Sequence, residues 1–294
     1  MDLSIIIVSW NVKDKLRENL KALEKTKRDF LYEVIVVDNN SEDGTADMVE
    51  KEFPHVLLVK NNANFGFAKA NNQALRQIES DFVLLLNPDM RVYKDTLLNM
   101  LNWMKNNSQA SIAGCNLVNE QGETIKHVRR FPRARDQVAI ILKLPHLFKN
   151  VLKKYIRKDF DYAKEVKVDS IRGGFFMINR KNISNLKKFL NCTLPLFDER
   201  YFLWFEEVDF CRQIKKAGGE VWYTPAAKCV DLVGQSFKQV PRSQAQKYFR
   251  DSQLKYFKKW HSGWQYIILK LAWPFGILIT SISEKFKLKS KAKT

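Results

Sequence analysis

The feature that most constrains this chain is a series of short apolar runs, each ending in a cluster of Asn and Asp. Leu3 to Val8, Val34 to Val37, Val56 to Val59 and Phe82 to Leu86 are rich in leucine and β-branched residues. Runs that are continuous rather than alternating predict strands buried on both faces, and so a parallel sheet. Between them, Leu16, Leu20 and Leu23, and then Ala68, Asn72 and Leu75, keep helical spacing. The first 110 residues or so therefore read as repeated β-α units of an α/β domain. In open sheets of this kind a ligand sits beyond the carboxyl ends of the strands. Here those ends carry Asp38-Asn39-Asn40-Ser41, then Lys60-Asn61-Asn62 leading to Asn64-Phe65-Gly66, and Asn87-Pro88-Asp89. Three converging polar loops suggest a nucleotide site.

Further along, Ser111 to Leu117, Ile171 to Ile178 and Glu220 to Tyr223 read as strands, and Phe205 to Lys216 and Pro241 to His261 as helices. The basic, aromatic stretch from Lys143 to Lys167 reads as a helix or a lid. Charge divides the chain unevenly. The total is 50 Lys plus Arg against 32 Asp plus Glu, or +18, yet residues 1–142 hold 19 of each sign. The whole excess lies beyond, and from Lys238 onward 13 basic side chains face 2 acidic ones. Such a segment suits an anionic partner, lipid or nucleic acid. No helix-turn-helix, RNP-like or zinc-finger pattern accompanies the charge, and the neutral first half puts acids where a nucleic-acid groove would need lysines, so no nucleic-acid partner is expected.

Trp264 to Ser283 is the most apolar window, but Lys270 interrupts it and Pro274 would kink it, which argues against a full membrane span. Trp260, Trp264, Tyr266, Trp273 and Phe275, beside Lys258, Lys259 and the Lys285 to Lys293 tail, fit a helix lying in the headgroup layer. A helix docked on the core is the competing reading. Cys115, Cys192, Cys211 and Cys229 have no paired spacing and read as buried thiols rather than a zinc site or disulfides. The start, Met1-Asp2-Leu3-Ser4-Ile5, lacks the basic region and cleavage site of a secretory signal, so a cytoplasmic protein, peripheral at the inner face of the membrane, is expected. His55, His127, His146 and His261 show no metal spacing.

The candidate chemistry rests on carboxylates. Asp89 follows a buried run and the stiff Pro88, as a ligand for Mg²⁺ or Mn²⁺ would, with Asn87 able to hydrogen-bond a ribose or phosphate; an ordinary turn has the same signature. Asp38 could accept hydrogen bonds from a base or ribose, while Ser41 and Asp43-Gly44-Thr45 supply helix-capping chemistry. Glu206-Glu207-Val208-Asp209 opens a helix, where acids complement the dipole. Beside Trp204 and Phe205, flat surfaces for a sugar ring, a carboxylate could also take a hydroxyl proton. Arg172-Gly173-Gly174 would let a sugar or diphosphate come close to the backbone.

Together these segments resemble glycosyltransferase family 2, the inverting GT-A transferases, and within it the bacterial rhamnosyltransferase-like branch. The likeness spans nearly the whole chain. It rests on Ile6-Ile7-Val8-Ser9-Trp10-Asn11, Val36-Val37-Asp38-Asn39-Asn40-Ser41 with Asp43-Gly44-Thr45, Asn64-Phe65-Gly66-Phe67-Ala68 with Asn71-Asn72, Asn87-Pro88-Asp89, and Phe197-Asp198-Glu199 through Asp209. The resemblance implies a GT-A Rossmann-like fold with a mainly parallel central sheet over residues 1–240. A nucleotide-binding half (1–110) would precede an acceptor half (111–240), and 241–294 would form a basic, aromatic helical segment.

It also implies that Ser9, Trp10, Asn11, Asp38, Asn40, Asn64, Phe65, Gly66, Asn71, Asn87, Arg172 and Gly173 bind the nucleotide sugar, with Asp38 on the base. Asp89 would close the metal-binding motif, Glu207 with Glu206 would form the catalytic pair, and Trp204, Phe205 and Asp209 would meet the acceptor. Two positions depart from the family's pattern: Glu206-Glu207 replaces the usual Glu-Asp. Asp231, ahead of Gly234-Gln235-Ser236, stands where a histidine near the metal is usual, and as a hard oxygen donor it becomes a second metal candidate. The expected partners are a dTDP- or UDP-sugar, a lipid-linked glycan acceptor and an anionic membrane, with a homodimer as an option. An impaired homologue acting as a scaffold is the alternative within the family.

Overall fold

The computed structural model describes residues 1–27, 29–186, 196–232 and 240–291, with side chains through residue 281. Cys192 and Gly234-Gln235-Ser236 lie outside the described residues. The first third alternates as the periodicity predicts: β1 (Leu3–Ser9), α1 (Lys13–Glu24), β2 (Tyr32–Asp38), α2 (Thr45–Glu52), β3 (Leu57–Lys60), α3 (Gly66–Leu75) and β4 (Phe82–Leu86). These strands pair in parallel in the order β3-β2-β1-β4. β1 and β4 are covered on both faces, but β3 is an edge strand and Leu57 is 55% exposed, so the expectation of full burial fails there.

Beyond β4 come β5 (Met90–Val92), α4 (Thr96–Asn106), β6 (Ala110–Val118), α5 (Ala134–Ile141), β7 (Val166–Lys167), β8 (Phe175–Asn179), α6 (Arg180–Asn185), α7 (Glu206–Lys216), β9 (Glu220–Asp231), α8 (Arg242–Trp260) and α9 (Gly263–Lys291). The sheet continues from β4 as β8-β6-β9-β5, with β7 also on β9. β8 runs antiparallel to both β4 and β6, and β5 and β7 run antiparallel to β9; only β6 and β9 are parallel in this half. The sheet is thus parallel through its first half and mixed in the second.

Two other expectations are corrected, and of the helix or lid expected at 143–167 the helix is absent. Ile171 to Gly174 precede the strand rather than belong to it. β9 runs on past Tyr223 to Asp231, because a register shift against β6 between Gly114 and Asn116 absorbs the stretch around Pro225, which would otherwise break the ladder. The stretch from Lys143 to Lys167 contains no α-helix. Lys143 takes a left-handed φ of 57° that ends α5, and only a 3₁₀ turn at Leu144–His146 follows before loops lead to β7.

α8 and α9 are built into the molecule. Tyr256, Phe257, Leu269 and Trp273 share a buried cluster with Ala134 and Ile141 of α5 and with Tyr201 and Phe205. The Trp273 indole donates to Gln253 at 2.8 Å and Gln253 donates to Gln137 at 2.7 Å, tying α9 to α8 to α5. Gly276 of α9 lies so close to α5 that a Cβ there would stand 2.6 Å from Ile141. The residue-240 boundary therefore separates elements that share one core. The docked reading of the C-terminal helix holds for Leu269, Ala272 and Trp273, while Trp264, Leu271 and Phe275 are about 60% exposed. No described helix is long and apolar enough to cross a membrane.

The tightest clamp is on Asp209, fully buried in the first turn of α7. It accepts hydrogen bonds from Lys259 (2.8 Å) and Trp260 of α8, from Gln213 (2.7 Å) and from Tyr201. Removing one side of a buried ion pair leaves the other uncompensated. Asp209→Ala should lower unfolding stability by about 3 kcal/mol, read from the denaturant midpoint.

His127 supplies a second check. It is 5% exposed, packed against Tyr162 and Tyr223, and burial with the nearby Arg172 and Arg129 charges pushes its pKa down to about 3. The unfolded chain takes up this proton near pH 6.5 while the folded chain resists it, so the contribution is complete above 6.5 and lost as pH falls toward 3. A His127→Phe variant should show a flatter melting-temperature profile across that window.

Candidate active site

The loops at the carboxyl ends of β1, β2 and β4 meet the start of α7 around a cavity of about 400 Å³. Of the residues expected there, Ser9, Trp10, Asn64, Gly66, Asn87, Arg172, Gly173, Trp204, Glu206 and Glu207 line it. Gly173 and Gly174 join its two sides. A Cβ at Gly173 would lie 3.6 Å from the Glu207 side chain, and one at Gly174 would lie 3.6 Å from the Asn87 amide nitrogen. The main-chain amide of Asn87 donates to the Gly174 carbonyl at 2.9 Å. The Asn-Pro-Asp turn and the α7 carboxylates therefore face the same space, although some 120 residues separate them in sequence.

Other expected residues shape the loops and are not among the described residues lining the cavity. Asp38 is 3% exposed and accepts from the hydroxyls of Ser9 (3.1 Å) and Ser41 (2.6 Å) and from the Ser41 amide (2.9 Å). Asn11 and Asn40 sit at φ 50° and 63°, a region Asn tolerates, and Asn11 accepts from the Glu42 amide at 2.7 Å. Asn71 donates to the Phe67 carbonyl within α3, and Phe65 precedes that helix under Lys69. Phe205 is buried against Phe249 and Tyr256. Asp209 is the clamp on α8, so its expected place at the acceptor is corrected: all its contacts point into the protein.

The sequence reading missed several residues. Asn39 lines the cavity while holding Gly66 and Asn61. Asn19 donates to the Asn87 and Met90 carbonyls (3.0 and 2.8 Å) and so fixes the Asn-Pro-Asp turn from α1. Phe202 and, from α8, Gln244 and Tyr248 form another wall. Phe202 and Tyr248 pack with ring centroids 4.4 Å apart. The only signal for α8 was its helical spacing, which carries no hint of which face meets a ligand.

Glu206 and Glu207 are delivered by an unusual stretch of backbone. Trp204 and Phe205 take left-handed φ values of 64° and 70° in succession. Large side chains rarely adopt this region, and it costs roughly 1–3 kcal/mol each. The turn starts α7 abruptly beside the cavity. Burial and the neighbouring Glu207 push the Glu206 pKa well above the usual carboxylate range. Burial also raises that of Glu207, against the opposing pull of backbone amides and of Arg172 and Arg129. One oxygen of each has no partner among the described residues. Both carboxyls therefore resist ionisation, Glu206 more strongly than Glu207.

Asp89 is 4% exposed, directly after cavity-lining Pro88. Met90 pairs with Asp231 across β5 and β9, and the Leu232 amide donates to the Asp89 carbonyl, so the two metal candidates share one strand junction. Their donor sets differ. The Asp231 carboxylate is met by the Arg172 guanidinium at 2.7 Å, which supplies the positive charge a cation would otherwise bring. Among the described residues no three His, Cys, Asp or Glu side chains form a cation cage. A hard divalent ion here fits Asp89 with phosphate oxygens and water, and does not need Asp231.

A mixed sheet with a parallel first half and a cavity at its carboxyl edge is a GT-A architecture. The glycosyl transferase family 2 model matches residues 4–186, and the chain belongs to that family. It is 24% identical over 275 residues to an N-acetylglucosaminyl-diphospho-decaprenol L-rhamnosyltransferase of Mycobacterium tuberculosis, covering 89% of this chain and 86% of that protein. It is 25% identical over 231 residues to rhamnosyltransferase WbbL of Escherichia coli, covering 76% and 80%. It is 27% identical over 246 residues to the uncharacterised glycosyltransferase YfnE of Bacillus subtilis; that match covers 74% of this chain but only 61% of YfnE. Among solved structures it resembles the mannosyltransferase PcManGT of Pyrobaculum calidifontis, in complex with GDP-Man and Mn²⁺ (TM-score 0.55, 19% identity, 96% of this chain and 75% of that one). It also resembles GalNAc-T7 with UDP, GalNAc and Mn²⁺ (TM-score 0.57, 15% identity, 86% and 48%).

The Phe202 loop depends on Gly66. At φ 79°, a Cβ on Gly66 would stand 2.3 Å from the Phe202 carbonyl oxygen, which also accepts from the Phe67 amide at 2.8 Å. Gly66→Ala should therefore cost more than the roughly 1 kcal/mol of a simple left-handed penalty and should raise the proteolytic sensitivity of the 198–204 loop. Limited proteolysis beside a melting curve reads both.

Proposed function

We propose that this transferase moves rhamnose or a similar sugar from a dTDP- or UDP-linked donor onto a lipid-linked glycan in cell-surface polysaccharide synthesis, inverting the anomeric configuration. The single observation that carries the reading is the half-buried Glu207 carboxylate, one oxygen unpartnered, opposite the Asn87-Pro88 turn across Gly173. The named rhamnosyltransferases among its relatives, one of them acting on a decaprenol-linked sugar, support the donor and acceptor classes.

In this reading the loops after β1, β2 and β3 hold the nucleotide, with Ser9, Asn39 and Asn64 facing it. Asp38 acts mainly by ordering the Ser9 and Ser41 loops, with lone-pair capacity left for a base edge. Glu207 removes the proton from an acceptor hydroxyl, and that oxygen attacks the anomeric carbon on the side opposite the diphosphate. Glu206, held protonated, donates a hydrogen bond rather than competing as base. Arg172, oriented by Asp231, brings a fixed positive charge to the wall of the cavity. Mg²⁺ or Mn²⁺ bound at Asp89 would neutralise charge on the departing diphosphate. The Trp204 face offers a surface for an acceptor ring.

Glu207→Gln should abolish transfer, by 10²-fold or more, while donor binding persists in a thermal-shift assay. An unchanged rate would remove Glu207 as base and favour the scaffold alternative. Because the Glu207 pKa is raised and only the ionised form accepts a proton, kcat/KM should fall as pH drops through a value above 4.5, the ordinary glutamate value. A panel of UDP-, dTDP- and GDP-sugars with and without Mn²⁺ fixes donor class, and Asp89→Asn should remove the metal-dependent part of the thermal shift whereas Asp231→Asn should not.

A further inference from the structure

Fifteen large apolar side chains stand out as exposed among the described residues, and eleven of them fall in two segments. One is the outward face of α9, where Trp264, Leu271 and Phe275 recur at helical spacing. The other is the loop after α5, where Leu147 is 76% exposed, Phe148 61% and Val151 41%. They are distant in sequence but tethered to one contact: α9 packs on α5 at Gly276 and Ile141, and Leu147 follows only six residues after Ile141. We propose that the 147–158 loop and the outward face of α9 form one surface that docks on an anionic lipid bilayer.

The charges choose the occupant. Exposed Lys149, Lys153, Lys154 and Lys158 flank the apolar loop, and exposed Lys270 interrupts the apolar face of the helix. Apolar side chains that insert while lysines remain at headgroup level is the pattern of an interfacial contact. A second copy of the chain on the same patch would set lysine against lysine. Both segments are joined to the helical layer that includes α8, whose Gln244 and Tyr248 line the cavity, so a contact through both fixes how that cavity is presented to the membrane. A single interfacial helix would leave rotation about its own axis open. This inference rests on the lipid-linked acceptor reading and adds a contact that the sequence did not single out.

The test is flotation of the full-length chain with vesicles of phosphatidylcholine, alone and with phosphatidylglycerol, beside transfer to a water-soluble acceptor analogue. Wild type should float only with the anionic vesicles, and less in high salt. Leu147→Asp with Phe148→Asp, and separately Trp264→Asp with Phe275→Asp, should each reduce bound protein by about tenfold or more while the melting temperature and soluble transfer stay unchanged. Leu31→Asp with Leu57→Asp, exposed apolar positions elsewhere, should change nothing. Equal flotation of the Leu147/Phe148 variant would overturn the two-point surface and leave the transferase reading intact. Flotation equal on neutral vesicles would overturn the anionic preference. If that variant instead converts a dimer to a monomer in sedimentation with flotation unchanged, the patch belongs to a second copy and the proposal fails. Absence of soluble transfer by wild type would count against the transferase reading itself, whatever the vesicles show.

Discussion

The pairing of β4 with β8 is the constraint on which the rest of the site depends. Leu86 registers with Phe175, and one residue beyond each strand end Asn87 bonds to Gly174. That antiparallel contact closes a parallel nucleotide-type half onto a mixed half. It sets the turn carrying Asp89 beside the diglycine that faces Glu207. A parallel β8 would have put its carboxyl end, Asn179, at the cavity in place of Arg172 and Gly173. The mixed sheet is therefore what lets Asn87 and Glu207 line one cavity.

The α7 carboxylates sit in a setting that opposes their charge. Two successive left-handed residues lead into them, burial resists ionisation, and Glu207 adds repulsion on Glu206. Strain of roughly 1–3 kcal/mol per residue persists only where surrounding structure over-determines it. Here the Asp209 clamp, the Ser252 hydroxyl bonded to the Leu203 carbonyl at 2.8 Å, and the aromatic packing of Phe205 all hold the turn from the α8 side. The C-terminal helices thus stabilise the catalytic turn as well as walling the cavity.

Much of this was legible in the residues. β1, β2, β4 and β6 announce themselves as continuous apolar runs, and the polar clusters after them mark the cavity edge because strand ends are where an α/β sheet leaves backbone groups open. The strand direction of β8 was not legible, since an apolar run has no sign. Nor was the extension of β9, where a bulge takes in Pro225, or the loop at 143–167, where one left-handed lysine overrides helical composition. At the site, residue types located the groups but not their partners. Asp231 reads as a ligand in isolation, and only the fold brings Arg172 to it; Asp209 reads as an acceptor contact by its neighbours, and only the fold shows Lys259 and Trp260 closing over it.

The Asp209 clamp also bears on how the chain is made. Its countercharge and indole donor are residues 259 and 260, about fifty positions later, on the far side of β9. During synthesis β1 to β4 can pair as they emerge, domain regions folding in order of appearance, although β4 and α3 also bond to later residues. The catalytic turn cannot form so early, because until α8 arrives it would carry a buried, uncompensated carboxylate next to a strained backbone. The turn that opens α7 is thus completed only once the C-terminal helices have been made.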